Sequence, residues 1–125
     1  DVDNFKNYND RYGHNVGDLC LTHFARTMKK SFPDDSILGR YGGDEFVVYL
    51  KNVSSESAQQ YMLYFQEQVA HMHLPSGEAI ELSASAGGAA FPEQGEDFIS
   101  LCRSADMALY DVKRNGKAAF KMKGH

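Results

Sequence analysis

Val16, Cys20, Phe24 and Met28, with Leu21 and Ala25 beside them, recur at three- and four-residue intervals and define the buried face of a helix from about Val16 to Ser31. Pro33 closes it. A shorter helix is expected over Asn4 to Tyr12, stopped by Gly13. Two apolar runs, Ile37 to Tyr41 and Phe46 to Leu50, read as strands joined by a hairpin. Ser54-Ser55-Glu56 supplies a capping serine and a first-turn acid for a third helix, whose Ala58, Tyr61, Met62, Phe65, Val69 and Met72 face inward. After the break at Pro75-Ser76-Gly77, Ile80, Leu82, Ala84 and Ala86 alternate with Glu81, Ser83 and Ser85, which predicts a strand covered on one face. The small residues Gly87-Gly88-Ala89-Ala90 then predict close approach by a neighbouring element. A last helix begins near Asp97, buries Phe98, Leu101, Cys102, Ala105, Ala108, Leu109 and Val112, and ends at Asn115-Gly116. A final strand covers roughly 118 to 122. Asp1-Val2-Asp3 reads as the end of a strand. This order predicts an α+β domain with helices packed on a mainly antiparallel sheet.

At 125 residues, 42% hydrophobic and 24% charged, the chain holds one core and has no room for a second domain. Its apolar stretches are too short to span a bilayer. Cys20 and Cys102 each fall in a helical apolar stripe, so buried reduced thiols are expected, in keeping with a cytoplasmic setting. The net charge of −4 argues against a nucleic-acid polymer as partner, because such binding needs a surplus of Lys and Arg. The distribution is nevertheless uneven: Arg103, Lys113, Arg114, Lys117, Lys121 and Lys123 gather at the C-terminal end against Asp106 and Asp111. A small anionic ligand needs only such a patch. His71 and His73 have no further metal-ligand candidate nearby and read as surface residues.

The heptapeptide Arg40-Tyr41-Gly42-Gly43-Asp44-Glu45-Phe46 carries the most specific chemistry. Gly42-Gly43 is expected to form the hairpin connection, with glycine adopting positive φ and leaving space for a ligand against the backbone. Asp44 and Glu45 follow as carboxylates able to reach a cation held by that ligand. If the first strand neighbours the hairpin, Asp1 and Asp44 together offer the two carboxylates that suit Mg²⁺.

Three separated motifs resemble the signatures of the GGDEF family, the diguanylate cyclases. They are Asp1-Val2-Asp3-Asn4-Phe5-Lys6 leading through Asn9-Asp10 and Gly13-His14 to Gly17-Asp18, then the turn from Gly42 to Phe46, and then Ala105-Asp106-Met107-Ala108-Leu109-Tyr110 followed by Lys113 and Asn115-Gly116-Lys117. The resemblance spans the whole chain. It implies a palm-like, nucleotidyl-cyclase fold with a ferredoxin-like core, and a domain that normally begins further upstream. Residues 1–125 are therefore expected to be a GGDEF domain lacking its N-terminal segment, with its first strand truncated.

The resemblance further implies condensation of two GTP molecules to cyclic di-GMP, with release of two pyrophosphates, by a facing homodimer. Mg²⁺, with Mn²⁺ as a substitute, would be held by Asp1, the backbone carbonyl of Val2, and Asp44. Asn9 and Asp18 match the family's guanine readers: an amide serves purine acceptors, and a carboxylate accepts from guanine N1–H and its amino group. Lys6, Gly42, Gly43, Lys113 and Lys117 match the phosphate contacts. Lys117 stands where arginine is common, and it loses the bidentate fork. Either Asp44 or Glu45 would take the proton of the 3′-hydroxyl. His14 reads as a structural or dimer-contact residue. Pro33-Asp34-Asp35-Ser36 lacks the Arg-x-x-Asp of the family's inhibitory product site, so inhibition there is not expected. The domain itself is expected to make no membrane contact, although its parent protein could be anchored. The rival reading is a catalytically inactive GGDEF module that binds GTP or a partner for regulation.

Overall fold

Among the described residues eight regular elements follow one another: α1 (Phe5–Tyr12), α2 (His14–Ser31), β1 (Ile37–Arg40), β2 (Phe46–Tyr49), α3 (Ser55–Ala70), β3 (Ala86–Gly88), α4 (Phe98–Arg114) and β4 (Phe120–Met122). They belong to a computed structural model that describes residues 1–123. The chain forms two units, Asp1–Ser83 and the remainder from Ala84. The α+β class and the order of elements follow the hydrophobic pattern.

In the first unit β1 and β2 pair antiparallel, with Ile37 opposite Tyr49, Leu38 opposite Val48, Gly39 opposite Val47 and Arg40 opposite Phe46. An aromatic cluster fills the core. Phe24 lies 5.0 Å from Phe46 and packs edge-on against Phe65 at 5.1 Å, while Phe32 lies 5.5 Å from Phe65. Offset and edge-on arrangements of this kind suit the ring quadrupoles and add to the burial of area. Cys20, Leu21, Met28, Met62 and Val69 complete the cluster, all buried. Helix α2 begins at His14, two residues earlier than expected, because Gly13 at φ 90 breaks α1 and its carbonyl at once accepts the Gly17 N–H at 3.1 Å. Ser54 caps α3 as expected, its hydroxyl accepting the Ser57 N–H at 3.1 Å.

The alternation predicted over 80–86 is correct in burial for Ile80, Leu82 and Ala84, yet the strand itself lies at Ala86–Gly88. Residues 80–83 make single backbone bonds instead of a ladder. The Ile80 N–H goes to the Met72 carbonyl, and the Ser83 carbonyl accepts the Asp3 N–H, both at 2.9 Å.

In the second unit β3 and β4 run parallel, Ala86 opposite Phe120 and Gly88 opposite Met122. Asp97 caps α4, accepting the Ser100 N–H at 2.7 Å, and this bond holds its carboxyl below the usual range. The close approach predicted at the small residues is present: a Cβ on Gly87 would run into the Ala105 carbonyl oxygen and the Leu109 backbone nitrogen of α4. Ala108 and Val112 are buried, whereas Phe98, expected on the same face, is 59% exposed. It is the first residue of α4, where the inward stripe has not yet met the strands. Ser85, expected on the polar face, is fully buried and accepts the Ala118 N–H at 3.0 Å. That bond explains why a hydroxyl is tolerated inside. Strand β4 starts at Phe120, later than expected, since Lys117 and Ala118 have φ of 65 and 52. Both cysteines are free thiols; Cys20 is buried, but Cys102 is only half-buried, where partial desolvation and then Asp106 push its thiol pKa up.

Candidate active site

Residues 1–3 form no regular strand, but they meet the hairpin. The Val2 N–H donates to the Asp44 carbonyl at 3.1 Å, which sets Asp1 beside the glycine turn. Val2 and Asp3 are buried, and the Asp3 carboxylate accepts the Ser83 hydroxyl at 2.7 Å, so the segment is anchored on both sides. Asp1 and Asp44 are both half-buried. Among the described residues no group of three or more His, Cys, Asp and Glu side chains converges as a metal site. A pair of carboxylates with a backbone carbonyl alongside is a donor set that suits Mg²⁺, which binds through one or two carboxylates together with substrate phosphate and water. The residues present fit that ion.

The turn itself differs from expectation. Its last ladder pair is Arg40 with Phe46, so the connection runs over residues 41–45, closed by the Tyr41 N–H on the Glu45 carbonyl at 2.8 Å. Neither Gly42 nor Gly43 has positive φ. A connection of this length turns without a left-handed residue, whereas a two-residue hairpin would require one. Packing does not demand glycine either: a Cβ on Gly43 would meet nothing within 4 Å, and one on Gly42 would make only ordinary contact with Glu45. What the two glycines provide is bare backbone facing open space, over which a phosphate chain can lie.

Arg40, to which the sequence assigned no role, fixes this turn. Its Nε donates to the carbonyls of Gly42 and Gly43 at 3.2 and 3.1 Å, and a terminal nitrogen donates to Gly43 at 2.6 Å. The guanidinium also lies 5.9 Å from the Phe46 ring centre. The Nε–H is shared between the two successive carbonyls, and the planar fork of Nε and the terminal nitrogen closes on Gly43.

Helices α1 and α2 bring the two expected base readers to one place. Asn9 of α1 packs against Gly17 of α2, the neighbour of Asp18, and a Cβ on Gly17 would coincide with Asn9 Oδ1. Asn9 Nδ2 lies 3.1 Å from His14 Nδ1. Asp18 and Lys6 are exposed. Tyr8 ties the same helices together, accepting from the Cys20 thiol at 3.4 Å, and desolvation followed by that thiol raises its hydroxyl pKa well above the ordinary value.

In the second unit Lys113 lies in the last turn of α4 and Lys117 just beyond it, both exposed. The backbone of Lys117 is held at φ 65, with its N–H on the Val112 carbonyl at 3.0 Å. A left-handed conformation at a non-glycine residue costs free energy and persists only where surrounding bonds enforce it. Lys121 donates to Asp111 at 3.0 Å, and the bond lowers the Asp111 pKa.

Asp1 and Asp44, both half-buried, and the bare glycine turn all belong to the first unit, on the α+β scaffold described above. Residues 1–119 match the family described as diguanylate cyclase, GGDEF domain, and the chain belongs to that family. It is 35% identical over 118 residues to diguanylate cyclase A of Treponema denticola, a match covering 94% of this chain and 32% of that protein. It is 37% identical over 123 residues to the cyclic di-GMP phosphodiesterase PdeR of Escherichia coli, covering 96% of this chain and 18% of that protein. The crystal structure of the GGDEF domain of YfiN from Pseudomonas aeruginosa superimposes with a TM-score of 0.92 at 29% identity, covering all of this chain and 79% of that one. The chain thus spans a third or less of the length of these curated relatives.

Proposed function

We propose that this chain is the catalytic part of a diguanylate cyclase, condensing two GTP into cyclic di-GMP. The observation that carries the reading is the hydrogen bond from Val2 to Asp44, which sets residues 1–3 against an intact Gly-Gly-Asp-Glu-Phe turn. Each of two facing copies holds one GTP. The 3′-oxygen of one nucleotide forms a bond to the α-phosphorus of the other, the bond from that phosphorus to the β-phosphate oxygen breaks, and pyrophosphate leaves. The step repeated in the other direction closes the ring. The 3′-hydroxyl proton passes to Asp44 or Glu45. Mg²⁺ bound at Asp1, the Val2 carbonyl and Asp44 would neutralise charge developing on the phosphate oxygens. Gly42 and Gly43 let the phosphates approach the backbone, and Lys6, Lys113 and Lys117 hold their charge. Asn9 and Asp18 bind the guanine, with Asp18 favouring GTP over ATP. Holding both nucleotides in line converts an encounter in solution into a reaction within one assembly.

Incubation with GTP and Mg²⁺ should yield cyclic di-GMP and pyrophosphate in a ratio of one to two, detected by chromatography, with a rate that rises more steeply than linearly with protein concentration. Tight GTP binding without product would instead favour a regulatory module. That second reading draws on the similarity to PdeR, a cyclic di-GMP phosphodiesterase.

Arg40→Ala should slow turnover by about tenfold while costing less than about 1 kcal/mol of stability, because it frees the turn without opening the core. Arg40→Lys should fail to restore the rate, since an ammonium lacks the fork. Faster amide exchange at residues 42–45 would accompany the loss; an unchanged exchange rate would remove Arg40 from the turn's support.

A further inference from the structure

Asn9 has an amide whose oxygen and nitrogen are nearly equal in size, so a free side chain could meet a base with either end. The two ends read opposite chemistry: the oxygen accepts, and the nitrogen donates. In this structure the choice is made by two other residues. Gly13, at φ 90 and with its N–H on the Asn9 carbonyl at 2.7 Å, turns the chain so that His14 comes beside Asn9. Asn9 Nδ2 lies 3.1 Å from His14 Nδ1, and an amide nitrogen can only donate. In that arrangement Nδ1 is the acceptor, which requires the His14 tautomer with its ring proton on Nε2. With that tautomer a flipped amide would set its oxygen against the ring lone pair, so ring tautomer and amide orientation are fixed together.

Gly17 secures the other end. Asn9 Oδ1 occupies the space that a side chain at position 17 would take, and it is buried there with no hydrogen-bond partner. A buried carbonyl oxygen left unpaired is unfavourable, and such groups in native proteins call for a reason. The notch also puts Oδ1 out of a ligand's reach. Of the two hydrogens on Nδ2, His14 takes one, and the other remains for a ligand.

We infer that His14 and Gly17 are the positioning residues of the purine subsite, locking the Asn9 amide so that it meets the base solely as a donor to a purine acceptor atom. The inference rests on the reading of the chain as a GTP binder with Asn9 at the base. It divides the labour between the two readers. Guanine and adenine both present ring-nitrogen acceptors, so Asn9 places a purine, and discrimination falls to Asp18.

The test is a double-substitution cycle on the chain with GTP and Mg²⁺, read as binding affinity by calorimetry, with cyclic di-GMP formation followed in parallel. Asn9→Ala should weaken GTP by about tenfold, the loss of one well-placed hydrogen bond. His14→Ala should give a similar loss, felt in KM more than in kcat. His14→Gln, which keeps an acceptor, should recover part of it. Combining Asn9→Ala with His14→Ala should be no worse than Asn9→Ala alone, because a residue that acts through another has nothing left to act on. Gly17→Ala should weaken GTP as Asn9→Ala does without lowering Tm, since alanine inside α2 gains about 1 kcal/mol in helix propensity over glycine. In the ligand-free protein, nitrogen NMR should find His14 protonated on Nε2. If Asn9→Ala weakens GTP while His14→Ala does not, or if the two losses add, the proposal falls and the function stands. If Asn9→Ala leaves GTP affinity unchanged, base reading by Asn9 fails, and the proposal fails with it. Should Gly17→Ala not fold, the His14 cycle alone decides.

Discussion

Asp44→Ala is expected to abolish the proposed formation of cyclic di-GMP, with a fall of roughly a thousandfold or more, because it removes a preorganised charge at the reacting phosphates. The fold should survive this change. What Asp44 contributes to the architecture is its backbone carbonyl, bonded to the Val2 N–H, and alanine retains it. The side chain is half-buried at the edge of the hairpin, so Tm should change by only a few degrees. Asp44→Glu keeps a carboxylate on a stem longer by one methylene and should retain much of the rate. Asp44→Asn keeps the shape, loses the charge, and should behave like alanine. Chromatography of product, with calorimetry for Mg²⁺-dependent GTP binding, separates these cases. Turnover by Asp44→Ala within tenfold of the unsubstituted chain would remove Asp44 from the metal and proton chemistry.

Gly87→Ala has the largest expected effect on stability. A Cβ at this position would run into the Ala105 carbonyl oxygen and the Leu109 nitrogen, with the Leu109 Cα at 3.0 Å. These are backbone atoms of a long helix and cannot swing aside as a side-chain tip would. Relief requires that β3 and α4 move apart, which loosens the packing around buried Ala108 and Val112. Overpacking of this kind costs about 3 kcal/mol, at the upper end of its range, and Tm should fall by roughly 10 °C. Gly43→Ala is the control: it adds the same methyl to open space, so Tm should hold. Any effect of Gly43→Ala should appear instead in GTP binding. An unaltered Tm for Gly87→Ala in a thermal melt would show that β3 does not depend on that close approach.

Both predictions draw on features that were legible in sequence to different depths. The run Gly87-Gly88-Ala89-Ala90 announced a close neighbour because small residues in a strand leave room for one, but it could not say which element arrives. The turn Gly42-Gly43 is exposed backbone, as its lack of side chains suggests, while positive φ, expected for its glycines, does not occur in the five-residue connection observed. Ser85 reads as an outward-facing residue because alternation alone assigns faces; inside, its hydroxyl accepts the N–H of Ala118, far along the chain. Arg40 stood in full view inside the heptapeptide without a role, since nothing in a linear string shows that a guanidinium folds back onto two carbonyls.

The chain by itself determined which residues carry charge, which helices are amphipathic, where they are capped, and to which family three spaced motifs belong. These are properties of neighbours along the backbone, and period and local hydrogen bonding suffice to read them. Tertiary structure alone decided that Val2 bonds to Asp44, that Arg40 clamps the turn, and that Asn9 is held between His14 and Gly17. Each of these depends on a hydrogen bond or a steric fit whose geometry is set only after strands and helices have packed, and such contacts leave no periodic trace in the order of residues.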